Sequence, residues 1–121
     1  MIDVRTRLHK TQRYDTCGNW AFRNCIETGD LIVAVSRMRD WRYEALVAVH
    51  EIIEALLCKA RGISEEAVTA FDKAHPDADE PGDHPDAPYG REHCFATLIE
   101  RLLATEFGVD WAEYEKAIDA L

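Results

Sequence analysis

The apolar positions of this chain change period once, near residue 40. Ile2, Val4, Thr6 and Leu8 alternate with Asp3, Arg5 and Arg7, the period-two pattern of a half-buried strand. Leu31-Ile32-Val33-Ala34-Val35 is an unbroken apolar run rich in β-branched residues, which predicts a more buried strand. Cys17-Gly18-Asn19 and Thr28-Gly29-Asp30 carry turn residues, and Trp20 to Ile26 between them reads as a further strand. The connections are short, so mostly antiparallel pairing is expected.

Beyond residue 40 the pattern becomes helical. Trp41 to Ala60 contains no Gly or Pro and is rich in Ala, Leu and Glu, with Asp40 as N-cap and Gly62 as stop. Ser64-Glu65-Glu66 starts a short second helix that runs to about Lys73. Tyr89 to Phe107 forms a third, ended by Gly108, and Asp110 caps a last one from Trp111 to about Ala120. All 4 prolines fall between His75 and Pro88, which makes that stretch a loop, and loops so long within a domain are often functional or mobile. Strands followed by helices, without β-α-β alternation, predict an α+β fold. The expectation is a single domain over residues 1–121, a small mostly antiparallel N-terminal sheet packed against about four helices.

Composition narrows the function classes. Lys and Arg number 14 against 23 Asp and Glu, a formal charge of −9. That balance argues against nucleic acid or an anionic membrane surface as the partner. No apolar run approaches the length of a membrane span, and the N-terminal Met1-Ile2-Asp3-Val4-Arg5 has no apolar signal core, so a cytoplasmic protein is expected. Cys17, Cys25, Cys58 and Cys94 include no C-x-x-C pair. They read as free thiols, with a Cys17–Cys25 bridge across a hairpin as the alternative.

The candidate chemistry lies in His50-Glu51-Ile52-Ile53-Glu54. His50 and Glu54 are one helical turn apart on one face, beside the apolar arc that contains Leu46, Val49, Ile53 and Leu57. Buried, the pair needs either a mutual hydrogen bond or a shared metal ion. Glu51 falls further round, towards the polar arc with Glu44 and Lys59. On the third helix His93, Thr97 and Glu100 share a face. The main apolar arc of Phe95, Leu98, Ile99, Leu102 and Leu103 centres opposite that face, while Ala104 and Phe107 fall on the His93 side. If the His93 side packs on the long helix, His50, Glu54 and His93 form a two-His, one-Glu shell of the kind that holds catalytic zinc. Glu92 and Glu100 are then spare ligands or partners of a ligating His. Asp83, His84 and Asp86 read as turn residues, with a separate loop metal site as the alternative. Trp20, Trp41 and Trp111 read as core or rim anchors, and Arg37, Arg39 and Arg42 as an ion-pairing patch.

A strand followed by a helix bearing His-Glu-x-x-His is the core of the zincin metallopeptidases, and residues 31–100 resemble a compact variant of it. Glu54 stands where that motif has its second His, and His93 stands where the gluzincin branch often has a Glu, so the ligand composition is kept with positions exchanged. The chain also resembles small phage and prophage proteins with a His-Glu-x-x-Glu helix and a Pro-Gly-Asp…Ala-Pro-Tyr loop, here Pro81-Gly82-Asp83 and Ala87-Pro88-Tyr89. The location would then be the host cytoplasm. The zincin resemblance implies a zinc-dependent hydrolase of peptide or amide bonds, with a peptide or protein substrate. Its metal ligands would be His50, Glu54 and His93. Glu51 would take a proton from the attacking water and deliver it to the leaving amine, and Tyr89 would donate to the developing oxyanion. The alternative is a non-catalytic structural or interaction module, with a structural metal or a metal-free polar pair.

Overall fold

The most apolar strand takes the centre of the sheet. In the computed structural model, which describes residues 1–23 and 29–121, β1 is Ile2–Arg7, β2 is Gly18–Arg23 and β3 is Asp30–Ser36. Their spatial order is β1-β3-β2. β3 pairs antiparallel with β2, placing Val33 opposite Trp20, and parallel with β1, placing Val33 opposite Val4. The sheet is therefore mixed rather than mostly antiparallel. The segment between β1 and β2 carries the chain past the position of β3 to the far edge, so β3 returns between them in the direction of β1. The predicted turn at Thr28, the strand end at Ile26 and the Cys17–Cys25 pairing fall outside the described residues.

Leu31, Val33 and Val35 are buried on one face of β3, against α1 (Trp41–Ala60). α1 lies across β3 and β2 and does not cover β1. This explains why Ile2, Val4 and Leu8, expected to be half-buried, are exposed. Gly18, expected in a turn, lies within β2 directly beneath α1. A Cβ there would stand 2.6 Å from Val47 Cγ1 and 2.8 Å from Glu51 Cγ, so the missing side chain lets the helix settle onto the strand.

The helix boundaries follow the capping chemistry. Asp40 accepts from the Arg42 amide at the start of α1, and Gly62, at φ +71°, turns the chain out of it. Ser64 caps α2 (Glu65–Ala74) and Asp110 caps α4 (Trp111–Asp119). α3 (Gly90–Glu106) ends before Gly108, at φ +66°. No helix among the described residues is long and apolar enough to cross a membrane.

α3 reverses the expectation from its hydrophobic arc. Glu92, His93, Ala96, Glu100 and Ala104 are buried, whereas Phe95, Leu98 and Leu102 are 49%, 56% and 65% exposed. Small alanines at positions 96 and 104 let α3 lie close to α1 along its polar strip. The polar groups of that strip find partners on α1 and α4. Trp20 is a core anchor as expected, but Trp41 is 67% exposed, its ring packed edge-on against Phe107. Arg42 pairs with Asp40, while Arg37 and Arg39 make no ion pair among the described residues. Cys58 is buried in the core and Cys94 is exposed, both as free thiols, and Cys17 is also free.

Candidate metal centre

α1 and α3 run antiparallel, tied by Arg42 to the Phe107 carbonyl at one end and by the Arg61–Glu92 ion pair at the other. Glu92 is thereby engaged away from the centre. Midway along the pair, His50 Nε2 lies 3.2 Å from Glu54 Oε2 and 3.2 Å from His93 Nδ1, and His93 Nδ1 lies 3.0 Å from the same Glu54 oxygen. Three ligand atoms from three buried side chains thus form a nearly equilateral triangle. A tetrahedral zinc with bonds of about 2.0–2.1 Å has ligand-to-ligand edges of about 3.3 Å, so the triangle is close to the size zinc requires.

The opposite end of each of these side chains is also held. His50 Nδ1 lies 2.8 Å from Glu100 Oε2, and Glu100 Oε1 accepts from the Tyr114 hydroxyl at 2.5 Å. Glu54 Oε1 accepts from Trp20 Nε1 at 3.1 Å. His93 Nε2 lies 3.4 Å from Asp83 Oδ1 and 3.8 Å from Glu80 Oε2. A His that donates its outer N–H to a carboxylate presents a lone pair inward, the arrangement that orients metal-ligating imidazoles. Without a metal the same contacts perturb titration. Burial opposes charge on His50, but hydrogen bonds to Glu100 and Glu54 outweigh it and raise its pKa well above the usual 6.5. Burial likewise opposes ionisation of Glu54, yet His50 and His93 pull it down to about 2.

The triangle opens on a cavity of about 160 Å³. Its walls include Cys17, Gly18, Glu51, Asp72, Pro81 and Tyr89. Glu51 is only 9% exposed, not on the polar arc as expected. The sheet covers that side of α1, and Gly18 leaves room for its stem. Glu51 makes no hydrogen bond or ion pair among the described residues. Burial first, and then repulsion from Glu54, push its pKa well above the usual 4.5. Tyr89 reaches the cavity wall, but its hydroxyl donates to Asp72, which also accepts from Tyr14 at 2.9 Å.

The proline-bearing loop borders the cavity through Glu80 and a 3-10 turn at Pro81–Asp83. A Cβ on Gly82 would lie 2.3 Å from His93 Cγ, so the bare backbone rests directly on the imidazole. Asp83 thereby joins the centre, while His84 stays outside it, accepting from the Asp86 amide in its own turn. Trp20, Tyr114 and Asp83 are the members of the centre that the sequence did not single out for it. Their distances in the chain from His50 and His93 carry no helical or strand periodicity that could have announced them. No protein-family model, curated protein or solved structure matches the chain.

Proposed function

We propose that this protein is a small zinc-dependent hydrolase of peptide or amide bonds. The supporting observation is a convergent His50–Glu54–His93 triangle on a cavity wall that also carries the unpartnered carboxyl of Glu51. Bound zinc would supply Lewis acidity, favouring water ionisation and carbonyl polarisation.

The chain's own residues do the rest. Glu100, braced by Tyr114, holds His50 in one tautomer, and Trp20 leaves only one Glu54 oxygen facing inward. Glu51 accepts a proton from the attacking water and returns it to the leaving amine. Tyr89 is committed to Asp72 and shapes the cavity, so the oxyanion role falls outside this reading of the residue.

A second reading has its own support. His50, Glu54, His93 and Glu100 find partners in one another and in Trp20 and Tyr114, so the cluster, Glu51 apart, is also complete as a metal-free polar network. Metal content of the purified protein, by plasma mass spectrometry, decides between them. About one zinc per chain, lost in both His50→Ala and His93→Ala, supports the centre. A Glu51→Gln variant that keeps its zinc and loses amide hydrolysis supports catalysis. Wild-type protein that takes up no zinc after loading overturns the proposal.

A further inference from the structure

Arg101 follows Glu100 on α3 and lines the same cavity as the zinc triangle. Among the described residues it is the only Lys or Arg in that lining, which otherwise carries several carboxylates. Its guanidinium carbon lies 4.4 Å from the centre of the Trp111 ring. Trp111 is itself anchored, donating from Nε1 to Glu115 at 2.8 Å and meeting the Tyr114 ring edge-on at 5.2 Å. Tyr114 is the residue that braces Glu100.

Arg101 is solvent-exposed, and its guanidinium forms no hydrogen bond or ion pair among the described residues, in a chain with 23 acidic side chains against 14 basic ones. Two acids of the same cavity lining are engaged elsewhere: Glu100 by His50 and Tyr114, and Glu115 through Oε1 by Trp111. A guanidinium with one face on an aromatic ring and its N–H edge unpaired is organised to take a carboxylate in a two-pronged hydrogen bond. Arg101 is eight residues beyond His93, about 12 Å along the helix axis. That is about the span of three or four extended residues.

We infer that Arg101 anchors a carboxylate of the substrate, which makes the substrate class a short peptide with a free carboxyl group within about three or four residues of the cleaved amide. This rests on the hydrolase reading for the chemistry, but the anchor binds its carboxylate with or without metal. The carboxylate can come from a chain terminus or from an acidic side chain, and three probes separate these sources. They are acetyl-tetra-alanine, its C-terminal amide, and that amide with glutamate at its third residue, titrated calorimetrically into zinc-loaded and zinc-free protein.

The free acid is expected to bind at least about tenfold more tightly than the amide. Arg101→Ala should erase that preference without changing zinc content, and Arg101→Lys should restore it only in part. Tighter binding of the glutamyl probe than of the acid would assign the side-chain source. Equal binding of all three probes, no binding of the acid at millimolar concentration, or a preference that survives Arg101→Ala overturns the inference. Failure to bind zinc overturns the hydrolase reading instead, and the acid-to-amide preference of the zinc-free protein still tests the anchor.

Discussion

His50 Nε2 and His93 Nδ1 face each other at 3.2 Å, from two different helices, across a single oxygen of Glu54. Two imidazole nitrogens this close are stable as proton donors only while the carboxylate between them stays ionised. With one proton between them, one ring donates to the other, and as two facing lone pairs they are stable only around a cation. The relationship therefore favours either a protonated network or a metal, and the consequences of each can be measured.

Loss of the brace around the ligands should weaken zinc more than it weakens the fold. Glu100→Gln and Trp20→Phe are each expected to lower zinc affinity by about tenfold to a hundredfold, because they free His50 and Glu54 to reorient. Competition with a chelator of known affinity reads the effect. Unchanged affinity in both variants would mean the outer contacts do not orient the ligands.

The metal-free protein should be most stable in mild acid. Glu54 titrates at about 2 in the fold against an ordinary 4.5, so its contribution is complete above 4.5 and is lost as the pH falls toward 2. Glu51 is raised well above 4.5 by burial and by Glu54, so stability declines as the pH rises past 4.5 toward its folded value. His50 is raised above 6.5, against burial, by Glu100 and Glu54. Its contribution is complete below 6.5 and is lost as the pH rises through the folded value. The Tm of metal-free protein is thus expected to fall from about pH 5 to about pH 8. Added zinc, which needs deprotonated ligands, should raise Tm more at the higher pH. A metal-free Tm that rises with pH over this range contradicts the assignment.

Two glycines should separate fold from site. Gly18→Ala pushes a methyl group into Val47 and Glu51 beneath α1 and is expected to destabilise the chain by about 1–3 kcal/mol in chemical denaturation. Gly82→Ala pushes into the His93 ring instead, so its main effect should be weaker zinc binding, with most of the stability kept. If both variants lost stability equally and kept zinc, the proline-bearing loop would have no part in seating His93.

The exposed arc of α3 should tolerate polar residues. Leu98→Ser and Leu102→Ser, at positions 56% and 65% exposed, are each expected to change stability by no more than about 0.5 kcal/mol. Ala104→Leu, at a buried contact, should cost about 1–3 kcal/mol. Denaturant midpoints compare the three, and a reversed order would place the Leu98 side of the helix inside.

Most of what the sequence determined about this protein is local. Asp40, Ser64 and Asp110 cap their helices with their own side chains, and Gly62 and Gly108 end helices at positive φ, because these are interactions within a turn or two of chain. The α+β division followed from the change of period, and the His50–Glu54 pairing from helical spacing alone. His93 could be brought to them only on the condition that its side of α3 packed on α1. Tertiary structure decided that condition, against the apparent hydrophobic arc. Burial of the His93 strip depends on Ala96 and Ala104 allowing close approach, and on Glu100 and Arg61 supplying partners across the helix pair, none of which is visible in one helix's periodicity. The same holds for Glu51, which a helical wheel turns outward and the glycine of a distant strand turns inward. It holds also for the parallel pairing of β1 with β3, because strand order is set by where the segment between β1 and β2 carries the chain and not by the alternation within any strand.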